Sequence, residues 1–184
     1  PVGIDQVAHV ELTRDIARRF NNIYNTNLFN EPQPKLTQIP LLKGLDGNKM
    51  GKSFNNDIKL SDDNITTENK IKTGITDRSR IRKDDKGDPC NCEVIFDYWK
   101  IFANKEEVEE ICCACKSASI GCFECKKRLA SKVNQSLEPI RQKRIELQKN
   151  KSLIKDVLIE GSKKAQIEAQ KTLDKVEAAI QMYK

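Results

Sequence analysis

Lys49, Met50, Gly51, Lys52 and Ser53 place two ammonium groups and a hydroxyl within five residues, behind Gly44 and Gly47. Side chains of these types hold polyphosphate. Lysines bring point charges, a serine donates a hydrogen bond, and glycines let the backbone close over the ligand. A Walker A loop also ends in Gly-Lys-Ser, but it requires a glycine where this chain has Asp46, and a helix directly after the serine. Here Phe54-Asn55-Asn56-Asp57 follows, a turn-forming composition. The stretch is either a phosphate loop of another kind or a solvated lysine-rich turn between strands.

The second chemistry-bearing set is sulfur. Seven cysteines crowd residues 90 to 125, and an odd count argues against a closed disulfide framework. Cys122 and Cys125 form a C-x2-C pair where a helix begins, and a helix N-terminus favours thiolate charge. Adding Cys115 and Cys92 gives C-x22-C-x6-C-x2-C, four thiols that a helix, a loop and an upstream turn can bring together around a metal. Cys90 is the alternative ligand. Cys112 and Cys113 fall on a helical pattern and read as small buried hydrophobes.

The elements that must position these groups are mostly helices. Gln6–Asn21 is amphipathic, with Val7, Val10, Ala17 and Phe20 near one face, and its single histidine, His9, reads as a packed helix residue. Leu36–Leu42 is a short strand that Pro40 pushes to an edge. Asp62-Asp63-Asn64 caps a helix running to about Lys72 and closed by Gly74. Thr76–Asp88 is charged, irregular and expected exposed. Helices follow at Glu93–Ala103, Glu106–Cys115 and Phe123–Lys149. The last buries Leu129, Val133, Leu137 and Ile140 and is kinked or broken at Pro139. Leu153–Glu160 and Ser162–Met182 make a final pair around Gly161. The fold class is mostly α with a small α/β portion, and a boundary falls near Asp88-Pro89.

Composition agrees: 38% of residues are hydrophobic, 33% are charged, and no apolar run is long enough to span a membrane. The formal charge of +6 is mild, but Lys126, Lys127, Arg128, Arg141 and Arg144 concentrate basic charge in one helix. That is a solvated face or a contact for an RNA backbone. An electron-transfer role is disfavoured because no flavin or nicotinamide motif exists.

Gly3-Ile4-Asp5-Gln6, followed by His9, Glu11-Leu12-Thr13-Arg14-Asp15 and then by Lys49–Ser53, resembles the tyrosine/tryptophan subclass of class I aminoacyl-tRNA synthetases. Lys49–Ser53 is similar to that class's KMSKS loop with glycine for the middle serine. Asp62, Lys70-Ile71, Thr76-Asp77, Leu137-Glu138-Pro139-Ile140-Arg141 and Gly161–Ala165 keep the family's order, and the Leu-Glu-Pro-Ile-Arg segment points to the tryptophanyl family. The resemblance covers nearly the whole chain.

It implies the C-terminal end of a Rossmann-type catalytic domain over 1–88 and a helical anticodon-binding domain over 89–184. The implied activity is ATP-dependent ligation of tryptophan to its transfer RNA, with Mg2+. Lys49, Lys52 and Ser53 serve the leaving pyrophosphate. Gly3, Ile4, Asp5, Gln6, Ile39, Met50 and Gly51 complete the ATP and adenylate contacts. The cysteine spacing is similar to that of a [4Fe-4S] site in some bacterial members, with zinc as the other occupant of the same ligands. A homodimer in the cytoplasm, with L-tryptophan and transfer RNA as partners and no membrane, is implied. The family's His-Ile-Gly-His-type signature and first βαβ unit have no counterpart here. The chain is therefore expected to be a C-terminal half, unable alone to activate an amino acid. The alternative is a non-catalytic RNA-binding helical module with a structural metal site.

Overall fold

A computed structural model describes residues 1–36 and 41–181. Ile39 and most of the expected strand at 36–42 lie outside those residues, as does the last stretch beyond Gln181. The chain forms two compact units, Pro1–Leu41 with Glu146–Lys184, and Leu42–Ile145.

In the first unit, a 3-10 turn at Ile4–Gln6 leads into helix α1, Val7–Ile23. The segment after α1 returns along it because α1 supplies its partners. Arg18 grips the Glu31 carboxylate with both Nε and Nη2, at 3.0 and 2.6 Å. The Asn21 side chain donates to the Phe29 carbonyl and accepts from its N–H, replacing a backbone partner. Phe20 packs between Tyr24 and Phe29, with ring centroids 4.7 and 5.0 Å away. His9 is exposed rather than packed. Helix α6, Lys151–Ala179, belongs to the same unit, with Asn150 as its N-cap. It runs unbroken through Gly161, where two helices were expected. A glycine inside a helix costs only about 1 kcal/mol, too little to end 29 residues of otherwise helical sequence.

The second unit holds the core. Helix α2 spans Asn64–Thr73, with Asp63 capping the Thr66 N–H and Gly74 at its end, as its cap residues predict. Helices α3 (Glu93–Phe102), α4 (Lys105–Lys116) and α5 (Cys122–Gln148) follow. Asn104 and Glu107 close a reciprocal capping box at the start of α4. Ile71, Ile95, Tyr98, Leu129 and Val133 are almost fully enclosed, with Leu45, Val94, Trp99, Ile111 and Leu137 around them.

Along α5 the buried stripe reads Leu129, Val133, Leu137 and then Arg141, four residues apart each time. Ile140, expected in that stripe, is 47% exposed, whereas Arg141 is 7% exposed. Pro139 removes one intrahelical donor, yet α5 continues past it. The one strand-like pairing among the described residues is the antiparallel bridge Lys43–Lys49. The expected α/β portion is thus represented, among those residues, by a bridge that closes the phosphate-loop candidate.

Candidate functional site

Residues 43–57 form a tight loop built around one carboxamide. Gly47 takes φ +81°, a left-handed turn that side chains disfavour, and its N–H bonds the Gly44 carbonyl. The Gly44 N–H bonds Asn48 O, and the Lys43–Lys49 bridge closes the turn. Asn56, 4% exposed, reaches back into it. Its Oδ1 accepts from the Gly51 N–H at 2.9 Å, and its Nδ2 donates to Lys49 O at 3.0 Å and Asp46 Oδ1 at 2.8 Å. Those bonds hold the Asp46 carboxyl below its usual range, with help from Asn48.

Lys49, Lys52 and Ser53 are exposed, and among the described residues neither lysine ammonium has an ion-pair partner. Two cations thus project from a main chain fixed from within, an arrangement able to receive a polyanion. Gly51 has an ordinary extended φ of −163°. A Cβ there would sit 2.9 Å from the Phe54 ring, so glycine leaves room for that ring where the related motif has serine.

Gly3, Ile4, Asp5 and Gln6 belong to the other unit, where Ile4, Asp5 and Gln6 are exposed. Among the described residues Asp5 accepts from the Gln6 side chain, at 3.3 Å, and it does not cap α1.

The four spaced cysteines lie at three helix ends. Cys92 precedes α3, Cys115 is near the end of α4, and Cys122 and Cys125 open α5. Burial pushes the Cys92 thiol up to about 11, and Cys122 and Cys115 add like-charge repulsion. Cys125 is pushed up to about 11 by burial, with the Trp99 N–H, 3.3 Å from its sulfur, acting the other way and Cys92, Cys115 and Cys122 raising it further. Cys115 is raised by burial and opposed by Arg80.

The Arg80 Nη1 lies 4.0 Å from both the Cys115 and Cys122 sulfurs, so those two sulfurs are no more than twice that distance apart. Gly87 faces the same sulfur: a Cβ there would be 2.5 Å from Cys115 Sγ. Among the described residues no group of three or more His, Cys, Asp or Glu side chains closes on a single metal ion. Cys90 and Cys113 are exposed and Cys112 is half-buried, so Cys113 is not the buried hydrophobe its pattern predicts. The turn from α4 to α5 takes its positive φ at Ala118, +60°, not at Gly121.

The Thr76–Asp88 loop is irregular as expected but not simply exposed. Asp77 is 5% exposed and accepts from the Ser79 N–H and hydroxyl and from the Asp88 N–H. That ties the loop into a bracket carrying Arg80 and Gly87 to the sulfurs. Asn56, Asp77, Arg80 and Trp99 were not legible as site residues. Their role is to bond main chain or sulfur far away in sequence, which spacing does not encode.

The basic helix divides. Lys127, Arg128 and Arg144 are exposed, Arg128 pairing with Glu124 and Glu110. Lys126 turns inward to the Lys72 carbonyl at 3.0 Å, and burial lowers its ammonium. Arg141 donates to Thr67 Oγ1 at 2.8 Å, to Asn134 Oδ1 at 2.9 Å and to Asn64 Oδ1. It was expected to face RNA and is instead a buried tie between α5 and α2, because α5 places it on the core stripe.

Residues 1–138 match the family model of class I tRNA synthetases for tryptophan and tyrosine. The chain belongs to that family. It is 43% identical over 183 residues to a tryptophan–tRNA ligase of Aquifex aeolicus, covering 99% of this chain and 46% of that protein. The Thermotoga maritima tryptophan–tRNA ligase is 41% identical over 183 residues, with 99% and 55% covered. The crystal structure of Campylobacter jejuni tryptophanyl-tRNA synthetase, complexed with ADP and tryptophan, superposes with TM-score 0.75 at 31% identity, over 99% of this chain and 56% of that one. This chain therefore spans about half the length of the synthetases it matches. The mostly helical architecture is that of its synthetase relatives.

Proposed function

We propose that this chain supplies the ATP-handling loop and the helical module of a tryptophan–tRNA ligase. The side-chain pocket for tryptophan belongs to the half of the relatives' length that it does not span. The observation that carries this reading is the loop of Lys49–Ser53. It presents two ammonium groups without an ion-pair partner among the described residues, from an internally bonded main chain, in a chain 43% identical to a tryptophan–tRNA ligase.

In the activating step the tryptophan carboxylate attacks the α-phosphate of ATP, and pyrophosphate leaves with Mg2+ that enters with the nucleotide. The aminoacyl group then passes to the terminal ribose of the transfer RNA. Lys49 and Lys52 neutralise charge building on the pyrophosphate, and Ser53 donates to a phosphate oxygen. Gly3 allows close main-chain approach, Asp5 accepts from ribose hydroxyls, and Gln6 meets the amine or adenylate. Ile39 packs near adenine. Lys127, Arg128 and Arg144 contact RNA phosphates. The division at Asp88-Pro89 into Rossmann-type and anticodon-binding portions, a homodimeric enzyme and a cytoplasmic location belong to the same reading.

In the enzyme that carries this chain, Lys52→Ala lowers kcat for tryptophan-dependent pyrophosphate exchange about 100-fold or more with little change in KM for ATP. Equal loss in kcat and in ATP affinity would contradict a transition-state role.

Cys92, Cys115, Cys122 and Cys125 hold a [4Fe-4S] cluster. Support comes from the spacing of the four cysteines, from Arg80, whose Nη1 lies 4.0 Å from the Cys115 and Cys122 sulfurs and can offset thiolate charge, and from a glycine where a side chain would crowd the Cys115 sulfur. Tetrahedral zinc, with Zn–S near 2.3 Å, needs its sulfurs within about 4 Å of one another. Zinc is the other occupant that the same four ligands would accept. When such a group is bound, Cys92 before α3, Cys115 near the end of α4 and Cys122 and Cys125 at the start of α5 would hold it and so tie those helix ends together. Purified without oxygen, the protein contains about four iron and four sulfide per chain. Serine at any of the four positions abolishes both, and Cys112→Ser retains them. Colourless protein with one zinc per chain would refute the iron assignment.

A further inference from the structure

Two lysines on an exposed loop serve a phosphate only if the main chain between them has a fixed course, since each lysine side chain has four rotatable bonds of its own. In this chain one residue outside the motif sets that course. We propose that Asn56 is a positioning residue for the activating step. Its carboxamide locks the main chain on both sides of Met50, so that Lys49 and Lys52 address one leaving group together. This rests on the ATP-handling role given above to the loop.

The geometry is specific to an amide. Oδ1 accepts from the N–H of Gly51, and Nδ2 donates to the carbonyl of Lys49 and to the Asp46 carboxylate. Both Nδ2 hydrogens and one Oδ1 lone pair are used, and aspartate would set a carboxylate against a carbonyl and a second carboxylate. The residue's own backbone is also pinned, its carbonyl accepting from the Leu45 N–H at 2.8 Å. Leu45 is buried, and its carbonyl accepts from Ile75 N–H, so the lock is referred to the core and not to the loop alone. Asn55, at φ +52°, turns the chain so that Asn56 points back.

Gly44 completes the arrangement. A Cβ on Gly44 would fall 2.3 Å from Asn56 Nδ2 and 2.4 Å from its Cγ. The carboxamide therefore occupies the space where a side chain at 44 would go. Gly44 and Asn56, twelve residues apart, act as seat and bolt. The lock predicts energetic coupling between three residues: 44, 56 and 52.

The test is tryptophan-dependent pyrophosphate exchange in the full-length enzyme carrying this chain, with Asn56→Ala, Gly44→Ala, Lys52→Ala and their double combinations. Asn56→Ala is expected to lower kcat at least 10-fold with KM for ATP changed less than about 3-fold, and to change kcat less than about 3-fold when Lys52 is already alanine. Gly44→Ala lowers kcat similarly in the wild-type background and adds less to Asn56→Ala, because the two closest clashing atoms are then gone and only the residue-56 Cβ remains, 3.0 Å away. Full additivity with Lys52→Ala, or an Asn56→Ala enzyme of normal kcat, overturns the inference while leaving the loop's role intact. Absence of exchange in the wild-type enzyme, or normal exchange in Lys52→Ala, overturns the underlying reading and this inference with it. If Asn56→Ala yields no folded protein, Gly44→Ala is read in its place against Lys52→Ala, with the same two outcomes.

Discussion

Arg141 and Asn56 are polar residues whose roles depend on where the chain folds back. Arg141 lies in a run of basic residues, and its charge alone suggests a phosphate contact. Its helix places it one turn beyond Leu137, in the core, where three side-chain oxygens take its donors while its Nε stays unpaired. Removing it strands Asn64, Asn134 and Thr67 and opens a cavity. Arg141→Ala is expected to destabilise the protein by about 2–4 kcal/mol in urea titration, leaving the salt dependence of RNA binding unchanged. A small stability loss coupled to weaker, less salt-dependent RNA binding would return Arg141 to the surface role. The KMSKS-like loop was legible because its lysines are consecutive enough to read as one motif. The residues that fix it or the sulfurs, Asn56, Arg80 and Trp99, were not. Asparagine is commonplace in turns, arginine on surfaces and tryptophan in cores, and only the fold distinguishes these from the rest.

Helices came through the sequence best at their ends. Asp63 and Gly74 satisfy orphan backbone groups of α2 locally, so their meaning does not wait on tertiary structure. Gly161 misled when it was taken as punctuation. Gly161 sits mid-helix, with nothing within 4 Å of where its Cβ would be. Gly161→Ala is therefore expected to stabilise by about 0.5–1 kcal/mol, read as a higher thermal midpoint, because alanine lowers the entropy of the unfolded chain at a position whose conformation it already fits. A lower midpoint would mean that α6 does not run continuously through residue 161. The irregular Thr76–Asp88 loop gave the opposite lesson. Its charged composition suggests solvent, yet Asp77 gathers its backbone and turns it onto the cysteines.

At the scale of the molecule, basic charge is distributed by burial and not by sequence density. Lys127, Arg128 and Arg144 remain on the surface, whereas Lys126 and Arg141 are spent inside. Titrating transfer RNA binding against salt should therefore separate them. Alanine at 127, 128 or 144 lowers the slope of log K against log salt by roughly 0.7–0.9 each, and alanine at 126 leaves it unchanged. Equal slopes for all four variants would place the RNA elsewhere.

The sequence by itself determined the family, the helical character, the caps of α2 and the four-cysteine spacing, because each is written in neighbouring residues or in collinear order. No helix among the described residues is long and apolar enough to cross a membrane. Only the tertiary structure decided which arginine is buried, which carboxamide ties the Lys49–Ser53 loop, and which cation and indole face the sulfurs. Those assignments depend on hydrogen bonds and desolvation between segments brought together by packing, and linear spacing carries no record of them.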